Sequence, residues 1–155
     1  MSLSDWERRG RLRRHETSAQ EVADLLRLAD EALGDARVEV ISRDRRFCAA
    51  YDAARALADV ALACAGYRTA GAGRHVTVFE ALPLVLGEAY VDLGRYLNTC
   101  RAKRNVSEYE RVGQIMLAEV EELIESALAL REDVYAWLQA QHPDLLPPTE
   151  QGGTD

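Results

Sequence analysis

The chain has 155 residues and a formal net charge of −7, with 48% hydrophobic and 29% charged residues. That is the composition of one soluble domain long enough to bury a core. No apolar run approaches the roughly 18 residues that a membrane span needs. The polar, Arg-rich start from Met1 to Arg14 also lacks the apolar stretch of a secretory signal, so a cytoplasmic protein with no membrane partner is expected.

The acidic balance argues against indiscriminate nucleic-acid binding, which normally shows as a strongly basic domain. Its distribution is uneven, however. Lys103 is the only lysine, and arginines gather at Arg8, Arg9, Arg11, Arg13 and Arg14, again at Arg43, Arg45 and Arg46, and again at Arg101 and Arg104 around that lysine. Such clusters make local positive patches on an acidic body, or else ordinary solvated helix faces.

Residues 1–17 read as an Arg-rich arm. Ser18 followed by Glu21 has capping-box spacing, and Val22, Leu25, Leu26, Ala29 and Leu33 then recur at helical spacing towards Gly34. A second, alanine-rich helix is expected from near Arg43 through Phe47, Tyr51, Leu57 and Leu62 to Gly66. The glycine-rich stretch Thr69 to His75 reads as a loop. A shorter helix, interrupted or bounded by Pro83, ends near Gly87, and a fourth runs from Glu88 to about Arg104.

Ser107 and Glu110 repeat the capping-box spacing, which predicts a turn at Asn105 and Val106 and a new helix from about Glu108. Val112, Met116, Val120, Leu123, Ala127, Leu130, Val134 and Leu138 give that helix one apolar stripe over roughly 30 residues. His142 and Pro143 close it, and residues 143–155 read as a disordered tail. No strand pattern stands out. The expected architecture is all-α: an antiparallel up-and-down bundle of four main helices plus a short one over residues 18–142.

Few residues suggest chemistry. The GAGRH stretch lacks the preceding strand and longer spacing of a phosphate loop. His15, His75 and His142 are scattered, and Cys48, Cys64 and Cys100 are distant from one another, so neither a metal site, a cofactor nor a disulfide framework is predicted. The stretch RAKRNVSEY, residues 101–109, is different. Arg101 and Arg104 lie one helical turn apart and can both grip a phosphate, Asn105 can turn the chain, and the start of the next helix would offer free N–H groups. The same cations equally suit the carbonyl end of a helix, which they stabilise by up to about 1 kcal/mol.

The run from Phe47 to His75, followed by a helix ending in CRAKRNVSEYE, resembles the HEPN superfamily of small helical-bundle proteins from prokaryotic toxin–antitoxin and defence systems. The resemblance spans roughly residues 18 to 140 and is most specific at the Arg-Asn junction. It implies a homodimer that brings two copies of an Arg motif into one cleft, often with metal-independent RNA-cleaving activity. In active members a His follows the Arg after four to six residues. Here positions 109, 110 and 111 after Arg104 are Tyr, Glu and Arg.

Tyr109 has a reference pKa of about 10, which makes it an acid and a poor base at neutral pH. The leading expectation is therefore RNA or nucleotide phosphate binding in a cleft lined by Arg101, Arg104, Asn105 and Tyr109. One alternative is a ribonuclease toxin with Arg104 and Tyr109 as its catalytic pair. Another is a non-catalytic module that pairs with a nucleotidyltransferase-like antitoxin, as the resemblance suggests.

Overall fold

The computed structural model describes residues 2–109 and 114–147, and for residues 106–109 the backbone alone. Six helices and one two-stranded ribbon make up these residues, an all-α bundle as the periodicity predicts. The order is α1 (Leu3–Arg8), β1 (Leu12–Arg14), α2 (Ala19–Ala36), α3 (Arg43–Cys64), β2 (Tyr67–Thr69), α4 (Arg74–Leu86), a short 3-10 turn (Glu88–Tyr90), α5 (Val91–Tyr109) and α6 (Leu117–Gln141).

Helix α3 is the axis of the fold and packs against α2, α4, α5 and α6. Its sequence explains this position. Ala50, Ala53, Ala54, Ala56, Ala58, Ala61 and Ala63 are all buried, so little side chain separates it from its neighbours and it is apolar over most of its circumference. Ser42 caps its start by accepting from the Arg45 N–H at 3.2 Å. One turn in, buried Arg46 donates from Nε to the Ala36 carbonyl at 2.8 Å, satisfying an oxygen at the C-terminal end of α2. This arginine belongs to the fold and not to a surface patch.

Ser18 caps α2 as its spacing predicts, accepting from the Glu21 N–H at 3.1 Å. Along α6 the buried residues Val120, Leu123, Ala127, Leu130, Val134 and Leu138 recur in steps of three and four, each leucine contributing about 1.5–3 kcal/mol of burial.

Three expectations are corrected. The chain does not break at Asn105: α5 continues through it to Tyr109, and α6 starts only at Leu117. Capping-box spacing is also compatible with a helix interior, and the working cap is Glu119, whose carboxylate accepts the Met116 N–H at 3.1 Å. The last helix is therefore 25 residues long. Met116 is 65% exposed and outside its stripe. Val112 lies outside the described residues.

The third correction is the ribbon, in which Leu12 pairs with Thr69, Arg13 with Arg68 and Arg14 with Tyr67. Three-residue strands carry too few alternations to leave a periodic signal. Residues of the expected arm thus enter the fold, with Trp6 and Leu12 both buried. Arg11 stacks on the Trp6 ring at 4.3 Å and donates to the Thr77 hydroxyl at 3.1 Å, tying α1 to α4. At the other end Leu145 and Leu146 pack against the core, while residues 148–155 of the expected tail lie outside the described residues. No helix among the described residues is long and apolar enough to cross a membrane.

Candidate functional site

Tyr51, Asp52, Arg55 and Asp59 follow one another along α3 at helical spacing, facing the start of α4 and the far half of α5. The connection from β2 ends at Gly73, whose φ of +72° is the left-handed conformation that glycine adopts without strain, and α4 begins at the next residue. No side chain caps that helix start. The turn places His75 against α3, with Nδ1 2.9 Å from the Tyr51 hydroxyl and Nε2 2.6 Å from Arg55 Nη1.

These two contacts assign the tautomer. A guanidinium has only donors, so Nε2 accepts and carries no proton. The proton of the neutral ring is then on Nδ1 and is donated to the Tyr51 oxygen. Burial, reinforced by the charges of Arg55, Arg104 and Arg101, holds the His75 pKa below its ordinary 6.5. Burial likewise pushes Tyr51 up to about 12, although the same three arginines pull against it.

Helix α5 supplies the rest. Arg104 lies over the Tyr51 ring, its Cζ 5.1 Å from the centroid, with Nη2 3.4 Å from Asp52 Oδ1. Arg101, one turn earlier, exerts its charge on both Tyr51 and His75. Its Nε, like that of Arg55, is buried without a hydrogen-bond partner among the described residues. Beside this cluster a cleft of about 300 Å³ is lined by Arg55, Asp59, Thr69, Arg74, His75 and Val78. Asp59 sits in its wall, and burial pushes that carboxyl up to about 6.

Arg55 thus touches an uncharged imidazole on which Arg101 and Arg104 also exert their charge, a combination suited to gripping a phosphate oxyanion while offering a group that can take up a proton. Of the residues singled out in the sequence, the fold brings Arg101 and Arg104 together. Asn105 is exposed on the surface of α5 and neither turns the chain nor joins the cluster. The side chain of Tyr109 lies outside the described residues. The helix start expected just after Asn105 is absent, and the uncapped start of α4 lies beside the arginines instead.

Sequence reasoning missed Tyr51, Asp52, Arg55 and His75. One signal was available: Tyr51 and Arg55 are four residues apart on α3, so a ring and a cation share one face, and the glycine-rich connection delivers a histidine straight into a helix start. Among the described residues no group of three His, Cys, Asp or Glu side chains is arranged to hold a metal ion. Comparison with family models, curated proteins and solved structures found no match to this chain.

Proposed function

We propose that the chain is a HEPN-like, homodimeric protein that binds RNA or a nucleotide phosphate at Arg55, His75, Arg101 and Arg104. The observation that supports this reading most directly is the gathering of three guanidinium groups about Tyr51 and the neutral His75, with Arg55 Nη1 2.6 Å from the ring Nε2. The homodimer follows from the family resemblance. Titration of fluorescently labelled RNA at two salt concentrations tests the binding. Arg101→Ala and Arg104→Ala should each weaken it by about tenfold and lower the salt dependence by about one ion per site. Affinity unchanged in both variants removes the reading.

A second reading, metal-independent RNA cleavage, is favoured by one observation: an imidazole stands among the arginines although the Arg motif itself lacks one. In this scheme Arg55 turns from Nε2 to the phosphate, and the freed Nε2 takes the proton of a ribose 2′-hydroxyl. The 2′-oxygen attacks phosphorus, the bond to the 5′-oxygen breaks, and that oxygen takes a proton from solvent, leaving a 2′,3′-cyclic phosphate. His75 then serves as the base, a role that Tyr109 fills poorly at neutral pH. Incubation of RNA with protein and chelator should yield cyclic-phosphate ends, and His75→Ala should reduce the rate about 10²-fold or more. Because the base works unprotonated and its pKa lies below 6.5, the rate should be flat above neutrality and fall in acid. Intact RNA, or cleavage surviving His75→Ala, counts against it.

A further inference from the structure

The ribbon holds an arrangement that the fold does not require. Arg13 and Arg68 are direct cross-strand partners, so their side chains leave the same face of the ribbon, and both residues are exposed. Like charges directly opposite one another are unfavourable in a strand pair. Arg14, their neighbour, pairs with Glu7 at 3.5 Å and lies over Tyr67, and Arg11 has Glu80 at 3.4 Å. No ion pair engages Arg13 or Arg68 among the described residues.

Arg68 is also connected to the cationic cluster. It lines a second cleft, of about 170 Å³, together with His15, Glu21, Asp59, Tyr67 and Thr69. Asp59 and Thr69 line both this cleft and the one beside His75. The two therefore adjoin along that shared wall, with Arg55, Arg74 and His75 lining one cleft and Arg68 the other, so that a strand crossing both would follow one groove. Two carboxyls lie in it: Glu21, which accepts from Thr17 at 2.7 Å and lies 2.7 Å from His15 Nε2, is held ionised below its ordinary pKa chiefly by the Thr17 bond and in part by the Arg68 charge, and burial makes Asp59 hold its proton more tightly than an ordinary carboxyl.

From this geometry we infer that the ligand is a single strand of RNA several nucleotides long, whose backbone runs along the groove and places a phosphate between Arg13 and Arg68. A mononucleotide would occupy only the His75 end. An anion between two opposed guanidiniums turns an unfavourable pair into a bridged one, and a cationic groove that tracks the backbone is how unpaired strands are commonly held. The inference rests on the phosphate-binding reading above and names its substrate class.

The test compares uridine monophosphate with oligouridylates of two, four and eight nucleotides, as competitors of a labelled eight-nucleotide strand, in the native protein and in Arg13→Ala/Arg68→Ala. Native affinity should rise with length to at least four nucleotides. The double variant should bind the eight-nucleotide strand about tenfold or more weakly, with a salt slope lower by about two, while its affinity for uridine monophosphate stays unchanged. Its melting temperature should be equal or higher, since two opposed charges have gone, which separates lost contact from lost fold.

Equal affinity for one and eight nucleotides, or a double variant that binds the long strand normally, overturns the groove while leaving the His75 site standing. Absence of binding by every competitor overturns both.

Discussion

Gly94→Ala is expected to destabilise the protein by about 1–3 kcal/mol, even though alanine is the better helix former by about 1 kcal/mol. Gly94 lies in α5, where a Cβ would come within 2.6 Å of the Phe79 carbonyl oxygen of α4. The obstacle is backbone and cannot rotate aside, so one helix must shift relative to the other. This close approach sets the seam that carries His75 at one end of α4 and Arg101 two turns along α5. Urea denaturation should show a lower midpoint with an unchanged slope, the mark of altered stability in a two-state transition. RNA affinity should fall as well, because the guanidiniums of Arg101 and Arg104 would move relative to His75. A midpoint equal to or above that of the native protein would show that the two helices do not meet this closely.

Asp59→Asn should have the opposite sign, and its size should depend on pH. A carboxyl whose pKa is about 6 in the folded chain, against 3.8 ordinarily, binds its proton more tightly folded than unfolded. Its favourable contribution is complete below about pH 4 and is lost as the pH rises through about 6. Ionisation of such a group costs about 3 kcal/mol when solvent plays no part. With the cleft open beside it, a gain of about 1–3 kcal/mol for the amide is expected at pH 8 and little at pH 4. Denaturant curves at those two pH values decide the matter, and a stability difference that does not change between them would mean that Asp59 is well solvated. The native chain bears this cost in the wall of the groove, where a group that is half neutral near pH 6 repels a passing phosphate less than a full carboxylate.

The helices were largely legible because their causes are local. Ser18 accepts from the backbone three residues on, and the buried stripe from Val120 to Leu138 needs only the 3.6-residue period. The errors arose where a local signal was ambiguous or too short. Ser107 and Glu110 have capping-box spacing, but α5 continues past Asn105 towards them, and the Glu119 carboxylate is what serves the start of α6. The ribbon, with three residues to a strand, is held together by pairing across a separation of more than fifty residues, which no local pattern encodes.

The candidate site divides along the same line. Sequence by itself determined that Arg101 and Arg104 share one side of α5, since three residues make nearly one turn. It determined equally that α3 is an alanine-rich helix fit for the centre of a bundle. Which groups face those arginines was decided only by the tertiary structure. Tyr51 and Arg55 lie on α3 and His75 opens α4, and the three meet α5 because the small side chains of α3 let its neighbours pack closely, while Gly94 lets α5 close on the Phe79 carbonyl. Periodicity reports which way a side chain leaves its own helix. The identity of the group it meets depends on helix packing, and that arises from contacts between residues far apart in the chain.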